Sequence, residues 1–180
     1  NSTVLDGFTI EKGNANGANS ITVESVAISR SSGGGMFNAN STLNVTSCKF
    51  SANNASSTGG GMRNSGGGPF VNTCVFSDNT TGGNGGGAAN FQGAVFFSNC
   101  TFSNNTASTY GGGVSNNVQS ATFNYCLFVG NSSPGNAGGM HCLSSGVYEL
   151  NNCEFRNNSS SIHGGGLYLN GVNTSVTLNN

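Results

Sequence analysis

Charge is what this sequence most lacks. Only 6% of its residues are Asp, Glu, Lys or Arg, against about 25% in ordinary globular domains. The formal net charge is −1, so no basic field draws the chain to nucleic acid or to an anionic membrane surface. Tryptophan is absent and proline occurs twice. No apolar run is long enough for a transmembrane helix, which argues against membrane insertion. Stretches with apolar residues at the 3.6-residue helical period are few. Asn1-Ser2-Thr3-Val4 carries neither the basic nor the apolar segment of a secretory leader. No Cys-x-x-Cys occurs, and His141 and His163 stand far apart, which argues against a zinc site and leaves no cofactor indicated.

Glycine is abundant, with 30 residues in 180, and Asn, Ser and Thr accompany it. A polar, Gly-rich composition can mean disorder. A strict period argues otherwise. Cys74-Val75-Phe76-Ser77-Asp78-Asn79 is followed by Gly85-Gly86-Gly87, and the same unit recurs at Cys48, Cys100, Cys126 and Cys153, in steps of 26 residues and, once, 27. Periods of this length mark stacked repeats.

Each unit alternates like a half-buried strand. Leu43 and Val45, Val95 and Phe97, Ala121 and Phe123, and Tyr148 and Leu150 sit five and three before their cysteines. The cysteine and the Phe two after it share a strand face. The odd interval from −3 to the cysteine requires a bend. Asn72, Asn124 and Asn151 sit at −2, and Asn tolerates the left-handed conformation of a sharp bend. Met62, Ala88, Val114, Met140 and Leu167 open a further strand after the glycines. Such a unit cannot bury its inner face alone but can do so on a copy of itself. The sequence therefore predicts an all-β fold: a single right-handed parallel β-helix over residues 1–180, with about 26 residues and three short strands per turn, in about seven turns. Val26-Ala27-Ile28-Ser29 takes the place of Cys-x-Phe-Ser, Val4–Ile10 reads as one more turn, and Val176-Thr177-Leu178 as the start of another.

Phe50, Phe76, Phe102, Phe128 and Phe155 are read as a stacked core, with Cys48, Cys74, Cys100, Cys126 and Cys153 as a second ladder beside them. Neighbouring cysteines are close enough to bridge, yet their parallel side chains make the disulfide torsion hard to reach, so free thiols are favoured. Cys142 lies on another strand. The glycine triplets lack the Lys-Ser/Thr and the helix of a phosphate cradle. They read as corners where a Cβ would clash between turns. The six carboxylates, Asp6, Glu11, Glu24, Asp78, Glu149 and Glu154, are not spaced to converge as glycoside or metal chemistry requires. No catalytic residue is assigned and the chain is read as no enzyme.

Asn-x-Ser/Thr acceptors are frequent, with Asn1 and Asn173 among them. Asn54, Asn79, Asn104, Asn131 and Asn158 are the candidate N-glycosylation positions, because they fall at or near the corner after Phe, where the side chain should face solvent.

The Phe-x-x-Asn elements at Phe50–Asn53, Phe76–Asn79, Phe102–Asn105, Phe128–Asn131 and Phe155–Asn158, each followed by a glycine triplet or near-triplet, resemble the repeats of polymorphic outer-membrane proteins, over about residues 26–170. The resemblance implies a surface adhesin with a parallel β-helix passenger. Members of that family usually carry Gly-Gly-Ala where this chain mostly has three glycines.

The function expected is an extracellular or cell-surface structural or adhesive β-helix, or a filament component. The alternative is a carbohydrate-binding or polysaccharide-degrading module. Neither terminal stretch carries a polar or helical cap, so the expected partners are further turns of the same polypeptide or copies stacked end to end, and possible contacts are host or matrix glycans.

Overall fold

A computed structural model describes residues 3–18, 21–23, 26–143, 146–171 and 175–179, with backbone alone for 21–23 and 26–28. Asn1, Glu24 and Asn173 lie outside the described residues. Every element is a strand. Three sheets hold six strands each and a fourth holds seven, all pairing in parallel from one turn to the next. The chain is thus a β-solenoid of about five turns, about 26 residues apart. Six levels, here called rungs, are stacked, and Ser175–Asn179 begins another on Val147–Asn151.

The fourth rung shows how one unit is built. Ala94–Ser98 lies in the first sheet, Thr101–Ser103 in the second, Thr106–Ala107 in the third and Val114–Asn117 in the fourth. Each rung therefore has four strands, where the sequence predicts three. The extra one is two residues long, too short for alternation to reveal.

Corners are made by left-handed residues. The first sits immediately before the cysteine, at Ser47, Thr73, Asn99, Tyr125 and Asn152. The bend is therefore one residue later than the asparagines at −2. Those asparagines lie on the outside, where Asn151 Nδ2 donates to Asn124 Oδ1 at 2.7 Å. The second corner is at Ala52, Asp78, Asn104, Gly130 and Asn157, four after each cysteine. The third is the first residue of each glycine element, Gly59 at φ +67° for example, with Ala137 accepting φ 61° in one rung. At the next glycine the constraint is space. A Cβ on Gly60 would lie 2.4 Å from the carbonyl oxygen of Thr80 and 2.5 Å from that of Gly86, so only glycine lets the rungs close up here.

The interior is made of ladders. Phe50, Phe76, Phe102 and Phe128 are fully buried, and Phe155 continues the column half-buried. Their rings are stacked at centroid distances of 4.8, 4.9, 4.9 and 4.6 Å. Each full burial contributes about 1.5–3 kcal/mol. Phe97 and Phe123 form a second stack at 5.0 Å; Phe97 meets the first stack edge-on and Phe123 meets Phe128 at a tilt of 59°. Cys48, Cys74, Cys100 and Cys126 are buried, Cys153 is half-buried, and all are free. Each thiol points at main-chain carbonyls: Cys100 Sγ lies 3.2 Å from the oxygen of Ser98 and 3.6 Å from that of Val71, one rung below.

The first rung departs from the sequence reading. Ile21–Val23 and Val26–Ile28 pair with each other as an antiparallel hairpin. Val26-Ala27-Ile28 therefore does not replace Cys-x-Phe-Ser. Thr9–Glu11 takes that place, paired with Lys49–Ser51, and the hairpin sits between Asn14–Ala15 and Met36–Ala39.

Candidate functional site

The polar feature that runs the length of the coil is a column of buried asparagines. Asn53, Asn79, Asn105 and Asn131 have no solvent exposure, and Asn158 continues the column half-buried. They stand five residues after each cysteine, directly beyond the left-handed corner, which turns their side chains inward. Asn105 shows the full pattern. Its Nδ2 donates to the carbonyl of Phe76 at 2.9 Å and to Asn131 Oδ1 at 3.0 Å. Its Oδ1 accepts from the main-chain N–H and from Nδ2 of Asn79, at 3.0 and 2.9 Å. Both amide hydrogens and both oxygen lone pairs are used, which is what makes a buried amide tolerable. A second column, Asn64, Asn90 and Asn116, runs along the fourth sheet with amide-to-amide bonds of 2.7 Å and ends on the Cys142 sulfur at 3.8 Å. Burial pushes the Cys142 thiol up to about 12.

This geometry divides the candidate glycosylation positions. Asn79 and Asn131 are inside and fully engaged, so the expectation that their side chains face solvent is overturned, and the coil leaves no room for a glycan there. Asn158 is half-buried and donates to the Phe128 carbonyl at 2.8 Å. Asn54 and Asn104 are exposed. A signal for the inner column was present in the chain. The position five after cysteine is Asn in all five repeats, whereas the position before it is Ala52, Asp78, Asn104, Gly130 or Asn157. Uniformity from rung to rung marks the stacked interior; variation marks the surface.

The outside carries two further features. Phe70 and Phe96 stack at 4.7 Å on the outer face of the first sheet, with Phe70 39% exposed. Along the fourth sheet three residues that precede glycine elements meet outward side chains: Thr58 meets Arg63, Tyr110 meets His141 and His163 meets Tyr168. There His141 is buried between Tyr110 and Tyr168, at centroid distances of 4.9 and 5.6 Å, and neither of its nitrogens has a hydrogen-bond partner among the described residues. Burial holds its pKa down at about 4. Cys142, next in sequence, points into the coil, so the two do not form a common site. Glu154 pairs with Arg156 on the surface at 2.8 Å. Among the described residues no three His, Cys, Asp or Glu side chains gather to hold a metal ion, and no helix is long and apolar enough to cross a membrane.

A concavity lies at the upper face of the last full rung. A cavity of about 250 Å³ is lined by Leu150, Cys153, Phe155, Leu167, Leu178 and Asn179. These are ladder positions, or their neighbours, with only Ser175–Asn179 above them among the described residues. Cys153 and Phe155, the last described members of the Cys and Phe columns, both line it. No protein-family model, curated protein or solved structure matches this chain.

Proposed function

We propose that this chain is an extracellular or cell-surface β-solenoid with a structural or adhesive role, and that it is not an enzyme. The observation that carries the reading is the repetition of the same inward side chains in successive rungs. Such an interior is built to continue the stack, and the outside is left to meet surroundings. The reading takes the coil as right-handed, the usual sense of parallel crossovers, and counts seven turns by including the incomplete last one. The Phe-x-x-Asn and glycine elements favour a passenger of the polymorphic outer-membrane type. In a secretory setting, glycans belong at exposed Asn54 and Asn104. The partners of this reading are further turns of the polypeptide or copies stacked end to end along the coil axis, and host or matrix glycans for the sides.

The test is attachment. Beads coated with the chain should adhere to cells or matrix and be released by competing glycans, while a panel of polysaccharides incubated with the chain yields no new reducing ends. Depolymerisation of any of them would reject the reading.

The outer-face pair of exposed Phe70 and half-buried Phe96 favours a carbohydrate-binding module as the second reading, since aromatic rings are the usual apolar contact for sugars. Saturable binding of a soluble oligosaccharide, lost in Phe70→Ala, would decide for it.

A further inference from the structure

Across the six strands of the fourth sheet, Arg63 is the only Asp, Glu, Lys or Arg. The chain has five Lys and Arg in all, and this one lies on the side of the coil, in the second rung. It is half-buried. Among the described residues no carboxylate pairs with it. Burial lowers its pKa, and no negative group opposes that shift.

One edge of the guanidinium is anchored. Nη1 donates to Thr58 Oγ1 and, at 3.2 Å, to Ser32 Oγ. Ser32 belongs to the first rung and is buried. Its oxygen also accepts from Thr58 Oγ1 at 3.1 Å and from Ser29 Oγ at 3.3 Å. The guanidinium carbon lies 4.5 Å from the centre of the Phe91 ring and 5.5 Å from that of Phe37. Hydroxyls and rings thus hold the cation in place. They leave its charge uncompensated, whereas charges taken out of water are normally paired.

The other edge is unused. Nε is enclosed and has no hydrogen-bond partner. Nη2 makes no hydrogen bond among the described residues and is not enclosed. The Nε–H and one Nη2–H of an arginine point the same way. They form the fork that takes two oxygens of a carboxylate or a similar oxyanion. A neutral sugar hydroxyl could accept from this fork, but it would not neutralise the charge. Half-buried Phe91 lies beside the fork and offers an apolar surface to whatever carries the anion.

Resting on the reading above that glycans meet the sides of the coil, we propose that the Nε–Nη2 edge of Arg63 is a binding site for an oxyanionic group, carboxylate or sulfate, of an acidic glycan. The anchored Nη1 sets the direction of the fork, and the missing counter-charge sets the sign of the ligand.

The test starts with the full chain and follows the Arg63 Nε–H resonance by NMR. Sodium sulfate and sodium glucuronate are titrated against sodium chloride of equal ionic strength. At least one of the two oxyanions should move the resonance saturably, and chloride should not. Retention is then measured on an immobilised sulfated polysaccharide, a polyuronate and a neutral dextran. Tighter retention on one of the first two names the source of the oxyanion. Arg63→Lys keeps the charge but loses the fork, and should weaken that retention at least tenfold. Lys49→Gln removes an exposed charge from the second sheet and should weaken it less than twofold. An equal shift with chloride, no saturable shift with either oxyanion, dextran held as tightly as the acidic polymers, or equal losses in the two variants would each overturn the proposal. Failure of the titrations with beads that still adhere would reject this site alone. A saturable shift with beads that adhere to nothing would keep the anion site and reject the adhesive reading.

Discussion

Ile10 in the first rung and Phe102 in the fourth hold the same place in the coil, yet one is half-buried and the other fully enclosed. The difference comes from neighbours. Phe102 has Phe76 below, Phe128 above and the Phe97 edge beside it. Ile10 has Phe50 on one side only. The same contrast holds for Asn105, bonded above and below, and Gly13, which bonds upward alone. In a solenoid a residue's worth depends on having a like residue on both sides, and stability is close to a sum of such contacts.

The largest test of that contrast is Phe102→Ala. Removing a fully buried ring between two others should cost about 3–5 kcal/mol in urea unfolding. Ile10→Ala should cost less than half as much, and outward Ser103→Ala should stay within about 0.5 kcal/mol. Similar losses for Phe102 and Ser103 would show that the register is wrong.

Next comes Asn105→Ala. It strands the N–H and Nδ2 of Asn79 and the Phe76 carbonyl. Each buried group left without a partner costs about 1–3 kcal/mol, so the expected loss in thermal unfolding is about 3 kcal/mol. Exposed Asn54→Ala should change stability by no more than about 0.5 kcal/mol.

His141 gives a smaller effect that depends on pH. Its pKa is held at about 4 against an ordinary 6.5 because burial disfavours the charged ring. The unfolded chain therefore takes up the proton first. Stability from this group is complete above about pH 6.5 and declines as pH falls toward about 4. The groups described against it are the rings of Tyr110 and Tyr168, with His163 stacked on Tyr168 at 5.6 Å. Acid should accordingly loosen Met140–Leu143 in the fifth rung more than it loosens Leu43–Thr46 in the second, as read by amide exchange at pH 7 and pH 5. His141→Phe should remove the difference; an unchanged pH slope in that variant would exclude the assignment.

The smallest effect expected is none. With free, buried thiols, a reducing agent should leave the melting temperature unchanged, and thiol reagents should label Cys48, Cys74, Cys100 and Cys126 only after unfolding. A marked fall in melting temperature on reduction would instead mean that disulfides tie the rungs of the middle together.

Much of the interior was legible because a 26-residue period forces equal positions onto one column. Phe50 and Phe76 must stack if the coil closes at all, and the glycine elements must be corners if the rungs approach to ring-stacking distance. The asparagines were harder to place. Asn104 and Asn105 are adjacent and chemically identical, and turn preference suggests solvent for both. Only the left-handed φ of 53° at Asn104 decides that one side chain leaves the coil and the next enters it.

The sequence by itself determined the repeat, the parallel stacking and the residues of the Phe and Cys ladders, because these depend on spacing and on which side chains can stack on copies of themselves. The folded chain alone decided that each rung has a fourth strand, that Ile21–Val23 and Val26–Ile28 pair antiparallel with each other, and that His141 is covered by Tyr110 and Tyr168. Those outcomes depend on where the corners aim the backbone. A corner is set by one or two dihedral angles, and several residue types adopt them equally well, as Ala52, Asp78, Asn104 and Asn157 do at one corner of this coil.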